Sequence, residues 1–125
     1  MKEKAVKEIG RTFVTTSRFE KDWKSLGFSD EDQRQLELMI LERPDIGDLV
    51  VGTGGLRKMR FAFSNRGKSG SARVCYVDFI VAETVYLIAA FSKKDQANLT
   101  KAEKNQIRKV IASIERNLRE VKKNE

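Results

Sequence analysis

The stretch Gly52-Thr-Gly-Gly-Leu-Arg-Lys-Met-Arg-Phe-Ala-Phe-Ser-Asn-Arg-Gly-Lys-Ser-Gly-Ser-Ala-Arg73 decides how the rest of this chain is read. Residues 56–63 and 72–79 have strand character, and Asn65-Arg-Gly-Lys-Ser-Gly70 between them has turn composition, so the expected order is strand, turn, strand. Side chains alternate along a strand, which sets Lys58, Arg60 and Ala62 on one face and Arg57, Met59, Phe61 and Phe63 on the other. Six cations, Arg57, Lys58, Arg60, Arg66, Lys68 and Arg73, stand in this stretch with no carboxylate among them. The acid-free window is wider still, from Asp48 to Asp78. Surface cations of a folded domain ordinarily alternate with acids, so a one-sign patch of this length points to a polyanionic partner and makes the sheet an RNA-facing surface. An isolated triplet such as Arg57, Lys58 and Arg60 would be only a solvated strand face; the length of the acid-free window carries the functional reading.

Downstream, residues 85–91 follow an Ala82-Glu83 turn and are nearly all apolar, as expected of a central strand covered on both sides. Upstream, Gly52-Thr-Gly-Gly55 is permissive of positive φ and is expected to bend or bulge the chain into the basic strand. Two phosphate-binding motifs fail here. A dinucleotide fingerprint starting at Gly52 would need glycine where Arg57 stands, and a P-loop ending Gly67-Lys68-Ser69 would need glycine at Ala62 and should open a helix.

Thr12, Phe13, Val14 and Thr15 predict a first strand, preceded by residues 1–10 as a mixed-charge arm or short helix. Ser17 with Glu20 has capping-box spacing, and Phe19, Trp23 and Leu26 then follow a helical stripe that Gly27 ends. Ser29 with Asp32 repeats the box, and Leu36, Met39 and Ile40 line the second helix up to Pro44. Trp23 on such a stripe is a core aromatic rather than a base-stacking platform. After residues 92–95 a third box, Thr100 with Glu103, starts a helix whose stripe of Ile107, Val110, Ile111, Ile114, Leu118 and Val121 packs on the sheet or grips a partner, packing being the commoner case. The expected architecture is α+β: an antiparallel sheet of about four strands, packed by an N-terminal helical hairpin and a C-terminal helix, with residues 11–125 as one domain.

The 125 residues suffice for one core. Lys plus Arg total 25 against 18 Asp plus Glu, a net +7, and the pI is about 9.7. Residues 1–48 carry 9 basic and 11 acidic groups, so the excess lies in the acid-free middle and in residues 93–125, which carry 10 and 5. The chain has no histidine, which removes the usual general base, the usual zinc ligand and every Ser/His or Cys/His pair. Cys75 sits in the apolar run 74–79 and reads as a small buried thiol. No apolar run has the length of a membrane span, and a cytoplasmic protein is expected.

The order of elements resembles the RelE/ParE toxin superfamily of bacterial toxin–antitoxin systems, most closely its RelE-type branch with HigB-like members. The likeness covers about residues 11–120 and is most specific at Gly52-Thr-Gly-Gly-Leu-Arg-Lys-Met-Arg60, the Gly/Lys/Ser turn, Ala72-Arg73-Val74 and Phe91-Ser-Lys-Lys-Asp95. The resemblance implies the toxin of a type II system, an endoribonuclease (mRNA interferase) that enters the ribosome and cuts mRNA. It also implies attack of a ribose 2′-hydroxyl on the adjacent phosphate, neutralisation by a DNA-binding antitoxin, and no cofactor or metal. The family's basic catalytic residues carry over to Lys58, Arg60, Arg73 and Lys94, with Arg57, Arg66, Lys68, Phe91 and Lys93 as RNA-binding residues. Phe91 stands where many relatives have tyrosine or histidine, which leaves it a stacking surface and no proton carrier. The same fold also hosts ParE-type inhibitors of DNA gyrase, and a patch that binds RNA without cutting it is the third reading.

Overall fold

The structure is a computed structural model that describes residues 4–8, 10–62 and 71–123. Its elements in chain order are β1 (Lys4–Glu8), β2 (Arg11–Thr15), α1 (Ser17–Ser25), α2 (Asp30–Glu42), β3 (Asp48–Leu49), β4 (Arg57–Phe61), β5 (Ala72–Phe79), β6 (Thr84–Phe91) and α3 (Lys101–Lys123). Among the described residues the strands form one six-stranded sheet in the order β1-β2-β6-β5-β4-β3. The apolar strand β6 lies inside that sheet between β2 and β5, as its composition requires.

The α+β class with a helical hairpin and a closing helix holds, and three details of the expected layout change. First, Lys4–Glu8 is a strand in place of a helical arm, paired antiparallel with β2 from Lys4↔Thr15 to Glu8↔Arg11. Backbone pairing with an open strand edge outweighs the weak helical spacing of so short a segment. Second, the sheet has six strands rather than four, because β3 has two residues, too few to show any alternation. Third, β2 runs parallel to β6, from Thr12↔Thr84 to Thr15↔Leu87, so the sheet is mixed. The intervening hairpin α1–α2 and strands β3 to β5 supply the long crossover that a parallel pair needs.

Local chemistry explains the helix ends. The cap of α1 is Thr16, one residue before the expected Ser17; its hydroxyl accepts from Phe19 N–H at 3.1 Å and donates to Ile88 O at 2.8 Å, while Glu20 accepts the Thr15 hydroxyl at 2.7 Å. The Ser29/Asp32 box at α2 and the Thr100/Glu103 box at α3 form as their spacing predicts. Gly27, at φ +80°, follows the end of α1 in the left-handed conformation that glycine adopts without cost.

Two apolar clusters fill the two sides of the sheet. On one, Phe13, Met59, Phe61, Val74 and Leu87 meet Phe19 and Trp23 of α1 and Leu36 and Ile40 of α2. Trp23 is a core residue as expected: it stacks on Phe19 at 5.2 Å, touches Phe28 and Phe61, and donates its indole N–H to Ser29 O at 3.0 Å. On the other side, Cys75, Val77, Ile88 and Ala89 meet Ile107 and Ile111 of α3. A β-bulge on β6 reconciles the two sides: Cys75 pairs with Ala89 and Tyr76 with Leu87, so Ile88 is skipped and joins Ala89 on the α3 side.

Candidate nucleic-acid interface

Strand register brings the predicted cations together. Arg60 pairs with Arg73, and Arg73 pairs with Phe91, so the three form one row across β4, β5 and β6. Directly opposed residues have Cβ atoms about 5 Å apart. Lys58 lies two positions along β4 from Arg60 and opposite Cys75, which belongs to the α3-side cluster. The strand alternation read from the sequence is therefore correct: Met59 and Phe61 are buried against the helical hairpin, while Lys58 and Arg60 face the other way.

Ile107 and Ile111 of α3 pack in one cluster with Cys75 and Val77 on that face, while Arg60, farther along the strand pair, is exposed. Arg60 is exposed, Arg73 and Lys58 are half-buried, and Lys93 and Lys94 are exposed on the turn that leaves β6. Within that turn Lys94 N–H donates to Ser92 Oγ at 3.1 Å. The ion pairs recorded among the described residues are Arg11–Asp78, Arg18–Asp22, Arg18–Glu103 and Arg43–Asp45, so none of these five cations is neutralised by a described carboxylate. Like charges directly opposed on neighbouring strands destabilise a sheet. Arg60 and Arg73 thus keep an arrangement that the fold alone would disfavour.

One of the predicted RNA contacts, Arg57, falls elsewhere. Arg57 is on the opposite face, where its Nη1 donates to Gly47 O at 2.6 Å beside Tyr76, whose hydroxyl accepts from Gly47 N–H and donates to Pro44 O. Its guanidinium locks the loop before β3. Arg66 and Lys68 lie outside the described residues. Phe91 stays in the row but is 7 % exposed, with its side chain in the apolar cluster beside Leu99, so it forms the wall of the patch and offers little ring face for a base to stack on.

Nothing in the sequence singles out Asn98, whose Oδ1 accepts from Lys58 Nζ at 2.8 Å. A single asparagine in a polar loop carries no spacing signal, and the contact spans 40 residues of chain. Burial pushes the Cys75 thiol up to about 12, against a weaker opposing effect of Lys58, so the thiol is an inert core group. Glu103 is held below the usual carboxylate range, chiefly by the Thr100 N–H at the start of α3, with burial opposing and further hydrogen bonds from Gln96 and Arg18 assisting. Among the described residues no group of three or more Cys, Asp or Glu could hold a metal ion, and no helix is long and apolar enough to cross a membrane.

The fold and this face define a small basic α+β protein with an unneutralised cationic row on an open part of its sheet. A model of the RelE toxin of the RelE/RelB toxin–antitoxin system matches residues 11–124, and the chain belongs to that family. It is thereby a toxin of a toxin–antitoxin system. Among solved structures it is similar to a double arginine-to-alanine mutant of E. coli toxin RelE in the free state, at 18 % identity and a TM-score of 0.48, over 68 % of this chain and 85 % of that one.

Proposed function

We propose that this toxin is an endoribonuclease that cuts mRNA on the ribosome, and that an antitoxin neutralises it in the cytoplasm. The observation that carries the reading is the Arg60–Arg73 pair, opposed across β4 and β5 and free of described carboxylates, with Arg60 exposed and Arg73 half-buried. Two arginines opposed on neighbouring strands can bring their guanidinium donors to the non-bridging oxygens of one phosphate.

The cleavage step uses this chain's own residues. The 2′-oxygen forms a bond to phosphorus and the bond from phosphorus to the 5′-oxygen breaks, leaving a cyclic phosphate and a 5′-hydroxyl. Arg73 and Arg60 stabilise the charge that builds on the phosphate in between. The Lys58 amine, in its neutral form, takes the 2′-hydroxyl proton, and Lys94 at the exit of β6 supplies one to the leaving oxygen. With no histidine in the chain, these lysines are the proton carriers that the face provides. Lys93, with Arg66 and Lys68, grips backbone phosphate, which positions RNA without selecting its sequence.

Induced expression with mapping of transcript ends tests the reading. Cuts inside translated codons that disappear with Arg73→Ala, with the fold intact, are the expected outcome. Arrest with an SOS response and intact transcripts would move the protein to gyrase inhibition, and arrest with neither would leave RNA binding without cleavage.

A further inference from the structure

Lys58 is held by an amide where an acid would be the commoner partner. Its Nζ donates to Asn98 Oδ1 at 2.8 Å, and the same oxygen accepts from Leu99 N–H at 3.0 Å, which fixes the asparagine side chain. The loop around it is anchored on both sides. Gln96 Nε2 donates to Asn98 O and to Glu103 Oε1, both at 2.7 Å, and Glu103 is tied to Arg18 of α1 at 3.0 Å. Leu99, 5 % exposed, plugs the apolar cluster under α3.

A lysine on a four-carbon stem in a cationic field sweeps many rotamers unless something holds it. A carboxylate would hold it but would favour the protonated amine, which cannot act as a base; a neutral carbonyl holds it without adding an opposite charge. We propose that Asn98 is the positioning residue of this site, orienting the Lys58 amine toward the phosphate held by Arg60 and Arg73. The inference rests on the cleavage reading above and adds a residue to it.

The test uses the full-length toxin on ribosomes programmed with a short mRNA. Asn98→Ala is expected to lower kcat on the order of tenfold, with KM within about a factor of two, because misplacing one reacting group acts on the chemical step. In a Lys58→Ala background the same substitution should cost nothing further. Asn98→Asp keeps the acceptor but adds a negative charge that favours the protonated amine and repels RNA, so its loss should appear in both kcat and KM. An unchanged kcat for Asn98→Ala, or an equal loss with and without Lys58, would overturn the proposal. Competitive acetylation read by mass spectrometry gives a second measure that needs no cleavage: Asn98→Ala should raise labelling of Lys58 several-fold relative to Lys93. If the wild-type chain cuts no RNA but this labelling responds, the cleavage reading fails and the Lys58–Asn98 pairing stands. If it cuts RNA and the labelling does not respond, the pairing fails alone.

Discussion

Phe61 and Arg60 are neighbours on β4 with opposite surroundings. Phe61 is 1 % exposed, tilted against Trp23 at 5.5 Å and edge-on to Phe28 at 5.6 Å, whereas Arg60 is exposed opposite Arg73. The side under α1 and α2 is closed with aromatic rings, and its main buried polar latch, Tyr76 to Gly47 and Pro44, is satisfied in both directions. The side under α3 is closed over only part of its area, and at the open end cations face cations. One side is organised for stability. The other gives up some stability for a patch that an anionic ligand would complete.

That contrast is open to direct tests, of which the largest effect belongs to the closed side. Phe61→Ala should cost about 3–5 kcal/mol by leaving a cavity among aromatics, measured by denaturant unfolding. A loss under 1 kcal/mol would mean that the cluster is looser than its contacts imply. Next comes the open side: Arg73→Ala should lower cleavage by about 10²–10³-fold, the usual effect of removing one donor from a developing oxyanion. Its Tm should hold or rise slightly, since relief of an opposed like-charge pair is worth roughly 0.2–1 kcal/mol. A variant that lost both activity and Tm would make Arg73 part of the framework. Tyr76→Phe follows at about 1–3 kcal/mol, because it strands the buried Gly47 N–H.

Two carboxylates should give pH dependences of opposite sign. Burial raises Glu37 on α2 above the usual carboxylate range, with the Gln33 hydrogen bond opposing. Its ionised form is disfavoured in the fold, so its contribution is present in acid and lost as pH rises through the raised value. Glu37→Gln should therefore raise Tm at neutral pH, with the gain vanishing in acid. Glu103 at the start of α3 is lowered, so its contribution is present above the ordinary carboxylate range and lost as pH falls through the lowered value. Glu103→Gln should lower Tm at neutral pH, with the loss fading in acid; melting curves at matched pH values would expose a reversal of either sign. The smallest effect expected is at Cys75: no change in stability or activity when the native protein is exposed to a thiol reagent at neutral pH, and modification only on unfolding.

Periodicity made much of this legible in advance. Alternation along 56–63 separated Lys58 and Arg60 from Met59 and Phe61, and two capping boxes marked the starts of α2 and α3 at the right residues. These are local rules, set by side-chain direction in a strand and by unsatisfied N–H groups at a helix start. They failed where pairing with the next strand outweighed local spacing, as at Lys4–Glu8 against β2 and at the two-residue β3 against β4. Arg57 shows the same limit within the site, since only the packed loop at Gly47 reveals what its guanidinium holds.

By itself the sequence determined the α+β class, the acid-free basic stretch, the absence of histidine and hence the kind of chemistry open to the face, because composition and short-range spacing suffice for these. Tertiary structure alone decided that Arg60, Arg73 and Phe91 form one row, that the bulge at Ile88 sets the pairing of Arg73 with Phe91, and that Asn98 reaches Lys58. Register between strands and contacts between loops depend on which distant segments meet when the core closes, and no spacing along the chain encodes that meeting.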